Sequence, residues 1–247
     1  MEDSPLICMS NKKGDGRCPS RGPVALSKCS LKNIYHCVLV TRRNDIASNE
    51  SAAPHMKFDY RLPNWSSGLL AEFDAADLRA ESVAKELSAV QLNWQPRQGA
   101  WSVGQCLEHL RAANEIYLPA ISAALEGRHP ARIDEVRLGW FTRWFIRSYI
   151  APNPHRTGVR APKKITPGKQ VDLLVLSAFL RSNERARELV RRAGDFDVNH
   201  IRFRNPFIPL LRFTVGGGLT IIAQHQSRHL LQAERVRESV NFPRQRG

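Results

Sequence analysis

Several classes of protein are excluded by what this chain lacks. It has five cysteines, an odd number, and no Cys-x-x-Cys pair, so the sequence indicates neither a disulfide framework nor a cysteine zinc site. It also has no uninterrupted apolar run of about 18 residues, which is the length that a transmembrane helix requires. The nearest candidate, residues 206–223, contains Arg212 and three consecutive glycines, so we expect no membrane-spanning segment.

Acidic residues are scarce relative to basic ones. Among 247 residues, 37 are Lys or Arg and 23 are Asp or Glu, which gives a formal net charge of +14 and a pI near 10.2. This balance excludes an acidic solvating protein and allows attraction to nucleic acid, anionic lipid or small anions, although charge alone does not choose among them. Because 42% of the residues are hydrophobic, the chain is able to bury a core.

The first 55 residues differ from the rest of the chain. They hold four of the five cysteines and show no helical periodicity, so we predict a disordered N-terminal extension over residues 1–55 and one domain over residues 56–247. The alternatives are a targeting extension or a metal-binding tract with His36 and His55, whose spacing matches no ligand pattern. The acidic start MEDSPL does not resemble a secretory signal, and we expect a cytoplasmic protein.

From residue 56 onward, apolar residues recur every three or four positions, which is typical of amphipathic helices. Ser102 and Gln105 form a capping-box pattern before the second helix, and Pro119 inside that helix predicts a kink or a division. Residues 195–209 are predicted as an irregular connection. The expected fold is all-α, a four-helix bundle with a short extra helix. The helices are predicted at residues 65–92, with a break near 74–77, and at residues 102–127, 138–150, 170–193 and 218–239.

Two apolar segments are expected to pack against the bundle or a partner. Leu173 and Leu174 are predicted on the apolar side of the helix at 170–193. The basic and aromatic segment 138–150 is expected to cover the core, or to contact a second subunit through Trp140–Phe145, so that a homodimer forms there. Docking of this segment on an anionic membrane surface is the alternative.

Three histidines on two of the predicted helices point to a metal site. His225 and His229 are four residues apart, so their side chains lie about 40° apart around the helix and share one face. His109 stands in an apolar frame in the middle of the second helix. We predict that the three bind one divalent ion, with zinc, nickel, manganese and iron as candidates and an open position for water or substrate. The alternative is that the histidines are structural.

The sequence from about Leu69 to Arg237 resembles the DinB-like superfamily of metalloenzymes, whose fold is also called DinB/YfiT-like. Three motifs carry the resemblance: the NWQP turn at 93–96, WSVGQCLEHL at 101–110 and AQHQSRHLLQAERV at 223–236. The resemblance implies a four-helix bundle with a metal triad at the positions of His109, His225 and His229. It also implies a range of reactions, because the family includes thiol S-transferases that use bacillithiol and a mycothiol-dependent isomerase.

The expected function is that of a metal-dependent enzyme that transfers a low-molecular-weight thiol to an electrophilic small molecule. A metal-dependent hydrolase with the same triad is one alternative. A non-catalytic basic protein that binds nucleic acid or membrane is another, and its binding would be sensitive to salt and independent of the histidines. Four basic residues either attract an anionic thiol to the mouth of the bundle or form a solvated loop. These residues are Arg156, Arg160, Lys163 and Lys164.

We expect most of the residues beside the three histidines to have structural roles. Gln105 is expected to cap its helix, and Cys106 to be a small core residue. Glu108 is expected to be solvated or to support the site from outside the ligand set, because adjacent helix positions point about 100° apart. Gln232, three residues after His229, is expected either to orient that imidazole by a hydrogen bond or to lie at the surface. No catalytic residue is assigned.

Overall fold

Four long helices form a four-helix bundle. The structure is a computed structural model, and it describes residues 61–151 and 161–244. The predicted extension at 1–55 lies outside these residues. The elements in chain order are α1 (Asn64–Ala84), α2 (Ala89–Leu92), α3 (Val103–Leu125), α4 (Trp140–Phe145) continuing as a π turn (Ile146–Ile150), a 3-10 turn (Lys163–Ile165), α5 (Val175–Ala193), β1 (Arg202–Arg204), β2 (Arg212–Thr214) and α6 (Val215–Arg237).

The first helix is continuous where a break was expected. Residues 74–77 stay helical, and Asp77 accepts a hydrogen bond from Arg187 of α5 at 2.6 Å. The chain breaks instead after Ala84, where Glu86 adopts a left-handed φ of 69° and Ser88 opens α2 with a capping box. The predicted break is therefore wrong, because long-range pairing of Asp77 offsets the weak helix preference of aspartate.

The second long helix, α3, begins as predicted. The Ser102 hydroxyl accepts the Gln105 backbone N–H at 3.1 Å, and the Gln105 side chain accepts the Ser102 N–H at 3.0 Å. The helix then runs through Pro119 without the division that was one of the two predicted outcomes, and the kink stays a prediction. It ends before Gly127, whose φ of 65° suits a residue without a side chain.

The last two helices begin at places other than those predicted. α5 starts at Val175, because the chain turns at Asp172, whose carboxylate accepts the Leu174 N–H at 2.7 Å. Leu173 and Leu174 are consequently exposed rather than packed on the bundle. α6 starts at Val215, three residues early, because the Thr214 hydroxyl caps it by accepting the Gly217 N–H at 3.1 Å.

A short antiparallel hairpin occupies part of the predicted irregular connection and the segment after it. β1 and β2 pair in a register that places Phe203 opposite Phe213, and both rings are buried. The Phe203 ring lies over α6 at Gly218, where an added Cβ would come within 2.5 Å of it. Glycine at this position therefore permits close approach of the hairpin to the helix.

The short segment α4 and its π turn pack beside the hairpin. Phe141 and Phe145 lie against Phe213, with ring centroids 5.9 and 5.1 Å away. Trp140 and Trp144 do not cover the core as expected, because they are 74% and 47% exposed. The homodimer predicted for this segment stays a prediction.

A cluster of polar side chains, all buried except the partly exposed Asp77, links all four long helices at the middle of the bundle. We call it the central amide cluster: Asp77 of α1, Asn114 of α3, Ser182 and Asn183 of α5, and Gln226 of α6. Asn183 Nδ2 donates to Asp77 Oδ1 at 2.6 Å, and Gln226 Nε2 donates to Asn183 Oδ1 at 2.7 Å. Because these bonds fix the rotation of each helix, they determine which side chains of α3 and α6 face each other.

The length and apolar character of the described helices bear on whether they cross a membrane. Across residues 61–151 and 161–244, none has the length and apolar character needed to cross a bilayer. This agrees with the expectation from the sequence.

Candidate metal centre

Three imidazoles from two helices converge beside the central amide cluster. His109 lies on α3, and His225 and His229 lie one turn apart on α6, as their spacing predicts. A ligand nitrogen from each lies within 4.8 Å of those from the other two. The two Nε2 atoms of His109 and His225 are 3.1 Å apart. The packing of α3 against α6 therefore brings together all three histidines that the sequence singled out.

A backbone carbonyl fixes the orientation of the His109 ring. His109 Nδ1 lies 2.8 Å from the carbonyl oxygen of Ile165, in the 3-10 turn. A carbonyl oxygen only accepts, so Nδ1 carries the proton and the Nε2 lone pair faces the other two rings. The 3-10 turn thus helps to form the site, although Ile165 is 56 residues from His109 in the sequence.

A side-chain amide orients the His229 ring in the same way. His229 Nδ1 lies 3.0 Å from Gln232 Oε1, three residues later on α6. With the proton on Nδ1, the Nε2 lone pair of His229 is free to bind a cation. Gln232 is therefore a partner of the imidazole, the first of the two roles expected for it, and supporting contacts of this kind are usual around metal-binding histidines.

All three imidazoles are held neutral. Burial lowers the pKa of His109 to about 4, and burial together with the neighbouring His109 ring lowers the pKa of His229 to about 3. Burial, with the proximity of His229 and His109, also lowers the pKa of His225 well below its ordinary value. Neutral imidazole is the form that binds metal, so these rings need no proton loss at neutral pH to act as ligands.

The donor geometry fits a divalent ion. Nitrogen ligands that are 2.0–2.1 Å from a tetrahedral zinc lie about 3.3 Å apart, close to the separation of the His109 and His225 Nε2 atoms. Two lone pairs at that distance repel each other unless a proton or a cation lies between them. The arrangement is thus compatible with a divalent ion, whose identity the three nitrogens do not select.

Aromatic rings cover one side of the histidine cluster. The Trp101 indole lies 4.7 Å from the His109 ring and 5.5 Å from the His229 ring, measured between centroids. Trp101 stands just before the Ser102 cap of α3, so the capping box that starts the helix also positions the indole. This ring shields the imidazoles from solvent on that side.

A pocket of about 600 Å³ opens beside the histidines. Its volume is within the range of small-molecule sites. Among the described residues that line it, none is Asp or Glu, and Arg228 is the only one with a permanent charge. Most of the lining is aromatic or aliphatic. It comes from α3 and the residue before its cap, α6, the α4 segment, the hairpin, and the 3-10 turn with the two residues that precede Lys163: Trp101, Ala113, Tyr117, Phe141, Trp144, Phe145, Tyr149, Ile150, Ala161, Pro162, Ile165, Phe207, Ile208, Leu211 and Ile221.

Other residues near the motif take the structural roles expected of them. Gln105 caps α3, and Cys106 is fully buried in the core, where burial raises the pKa of its thiol. Glu108 points away from the site and pairs with Arg111 at 2.7 Å. Lys163 and Lys164 are exposed and do not line the pocket, whereas Arg156 and Arg160 lie outside the described residues.

Several residues of the pocket were not singled out from the sequence. Tyr117 shares the face of His109, and the spacing 109, 113, 117 on a predicted helix was a usable signal for it. Asn205, Phe207 and Ile208 follow β1, and Arg228 precedes His229. No local pattern indicates the hairpin residues, because the connection was predicted to be irregular.

The sequence of this chain matches a known protein family. The model of the DinB superfamily matches residues 72–233, which is more than half of the chain. Among solved structures, YfiT from Bacillus subtilis is 14% identical, with a TM-score of 0.49 over 81% of this chain and 95% of that one. YfiT is described as a probable metal-dependent hydrolase with an unusual four-helix bundle topology. At this identity and TM-score the match has no bearing on function. The curated proteins give no match.

Proposed function

This chain belongs to the DinB superfamily, and on that basis we propose that it is a metal-dependent enzyme in which His109, His225 and His229 bind one divalent ion. The observation that carries the proposal is the convergence of three neutral imidazoles within 4.8 Å, at one end of a pocket large enough for a small molecule. The Nε2 atoms of His109 and His225 are 3.1 Å apart, a separation that suits two nitrogen ligands of one ion.

The residues around the three histidines have different roles in the proposed site. The Ile165 carbonyl and the Gln232 amide keep Nδ1 of two rings protonated, so that their Nε2 atoms point at one place. Trp101 and the aromatic walls exclude water, which strengthens electrostatic interactions inside the pocket. When bound, a divalent ion with an open position supplies a Lewis acid that lowers the pKa of a coordinated thiol or water.

Within this proposal, we favour transfer of a low-molecular-weight thiol to an electrophilic substrate. The described lining offers no carboxylate to take a proton from water. A free thiol has a pKa of about 8.5 and water about 15.7, so a thiol needs much less assistance to ionise. Arg228 lines the pocket one residue before His229, and a guanidinium there favours an anionic sulfur.

The proposed reaction is a substitution at carbon. The thiol loses its proton to solvent, and its sulfur forms a bond to an electrophilic carbon of the second substrate. The bond from that carbon to the leaving group breaks, and the leaving group departs with the bonding electrons. The aromatic walls hold the electrophile against the histidine end of the pocket, which converts an encounter in solution into a reaction between neighbours.

Metal content tests the first part of the proposal. We expect about one divalent ion per chain in the purified or reconstituted protein, at the stoichiometry of a single three-ligand site. His225→Ala and His229→Ala should lose the ion while remaining folded by circular dichroism. His129→Ala is the matched control, because this histidine is exposed and lies outside the cluster. A metal-free wild type after reconstitution with zinc, nickel, manganese and iron(II) would overturn the proposal.

Two chromogenic assays test the reaction class. With 1-chloro-2,4-dinitrobenzene and a panel of small thiols, we expect thiol-dependent product formation that the His225→Ala variant lacks. Turnover of 4-nitrophenyl acetate without thiol, lost in the same variant, would instead identify a metal-dependent hydrolase. Salt-sensitive binding of nucleic acid or anionic vesicles that survives loss of the histidines would identify the non-catalytic alternative.

A further inference from the structure

The pocket extends well beyond the histidine cluster along one face of α3. His109, Ala113 and Tyr117 are successive turns of that face, and all three line the pocket. Eight residues at 1.5 Å each separate His109 from Tyr117 by about 12 Å. The pocket therefore has two ends, one at the imidazoles and one at the Tyr117 hydroxyl.

The hydrogen bonds at the far end have a fixed direction. Asn205 is 2% exposed, and its Oδ1 accepts the backbone N–H groups of Phe207 at 2.8 Å and Ile208 at 3.0 Å. Backbone N–H groups only donate, so the amide oxygen must face them and Nδ2 must face Tyr117. Nδ2 then donates to the Tyr117 hydroxyl oxygen at 2.7 Å.

This direction leaves the Tyr117 proton available to a ligand. The hydroxyl oxygen already accepts from Asn205, and no other described residue offers an acceptor for its proton. Burial raises the pKa of Tyr117, so the hydroxyl stays protonated at neutral pH. A buried donor without an acceptor is costly, and a ligand that supplies a carbonyl oxygen there removes that cost.

The wall between the two ends is apolar. Ala113 and Ile221 lie on the facing long helices, and Phe145 and Phe207 come from the α4 segment and the hairpin. A polar substrate would lose its hydration along this wall without compensation, whereas an apolar one gains by burial.

We propose that the pocket binds an elongated, largely apolar molecule whose hydrogen-bond acceptor, a carbonyl or an equivalent oxygen, is held by the Tyr117 hydroxyl, two helical turns along α3 from His109. This inference rests on the proposed function only for the assignment of the reacting group to the histidine end. The Tyr117 end determines which molecules bind and which of their bonds reaches the ion.

A pair of ligands of the same shape tests this subsite. 4-Acetylbiphenyl and 4-ethylbiphenyl differ only in a carbonyl group replaced by methylene. Titration calorimetry on the full chain should show the ketone binding about 3- to 10-fold more tightly, as expected for one net hydrogen bond. Equal affinities would overturn the proposal.

Two variants test whether the preference for the ketone depends on the Tyr117 hydroxyl. Tyr117→Phe should abolish the preference for the ketone and leave the affinity for 4-ethylbiphenyl unchanged. Asn205→Asp covers the case in which Tyr117→Phe does not fold, because aspartate keeps an acceptor for the two backbone N–H groups. The new carboxylate would accept the Tyr117 proton, so the ketone preference should again vanish. A preference retained in Asn205→Asp would contradict the proposal.

The matched control is Asn199→Asp. The Asn199 amide also accepts a backbone N–H, that of Arg137, and donates to the Glu135 carbonyl, but it does not line the pocket. This variant should keep the wild-type preference. Metal content measured on the same samples separates the two proposals: a ketone preference in a protein that binds no metal supports this subsite and refutes only the metal-dependent function.

Discussion

Replacing Asn183 by leucine should destabilise the fold, although leucine is the more hydrophobic residue. Asn183 is fully buried at the centre of the central amide cluster. Its Oδ1 accepts from Gln226 at 2.7 Å and from Asn114 at 3.0 Å, and its Nδ2 donates to Asp77 at 2.6 Å and to Gln226 at 3.2 Å. Among the described residues, no other donor reaches the Gln226 carbonyl.

The magnitude follows from the groups left behind. The substitution orphans the Gln226 carbonyl and leaves its NH₂ group with only a 3.5 Å contact to Asn114. Two poorly satisfied buried groups cost about 2–6 kcal/mol together, and burial of the leucine side chain returns about 1.5–2 kcal/mol. Asp77 keeps its ion pair with Arg187 at 2.6 Å and adds little to the loss. The difference spans about 0 to 4.5 kcal/mol, and we expect a net loss near the middle of that range, about 2 kcal/mol in the free energy of unfolding.

Urea unfolding followed by circular dichroism measures this loss. The control is the double variant Asn183→Leu with Gln226→Leu, which removes both sides of the paired amides. The loss in the free energy of unfolding of the double variant should be smaller than the sum of the losses of the two single variants by at least about 1 kcal/mol, because neither amide is left without its partner. Single-variant stability within about 0.5 kcal/mol of wild type would refute the argument that the cluster is fully coupled.

Three further outcomes are expected. Gly218→Ala should destabilise the protein by about 1–3 kcal/mol, because the added methyl group meets the Phe203 ring. Gly68→Ala, where an added methyl group has nothing within 4 Å, should stabilise it by about 0.5–1 kcal/mol. Thermal unfolding should therefore show a lower midpoint for the first variant and a higher one for the second. Metal-free protein should lose stability as pH falls from 6.5 towards 4. In the unfolded chain His109 takes up a proton over this range, whereas in the folded protein its pKa of about 4 keeps it neutral. Urea midpoints at pH 7 and pH 5 measure this, and His109→Asn should show a shallower decline. Gln232→Ala should weaken metal binding about 10- to 100-fold in chelator competition, and Gln224→Ala should not.

The elements that local chemistry specifies were predictable from the sequence. The Ser102–Gln105 capping box is a four-residue pattern, and it begins α3 where expected. The four-residue spacing of His225 and His229 places both side chains on one face of a helix, whatever the tertiary contacts of that helix are. The fold class followed for the same reason, because each long helix carries its own apolar periodicity.

The features that depend on distant contacts were not predictable in this way. The strands β1 and β2 have three residues each, too few to show alternation, and the Phe203–Phe213 pairing is what holds them together. The far end of the pocket joins Tyr117 to Asn205 across 88 residues. The exposure of Leu173 and Leu174 also depends on where the chain turns at Asp172, which hydrophobic periodicity does not show.

The pocket is lined by long helices and by short segments, and these differ in how well they tolerate amino-acid substitution. The histidines stand on long helices whose rotation the central amide cluster locks, whereas much of the apolar wall comes from residues 141–150 and 205–211. The first of these segments packs against Phe213 of β2, and neither segment contributes any of the three imidazoles. Under the proposed function, replacement of wall residues in the short segments would change which molecules fit the pocket while the helices that hold the three histidines stay intact. A library confined to Phe145, Phe207, Ile208 and Leu211 would therefore vary the shape of the pocket and leave the histidine cluster unchanged.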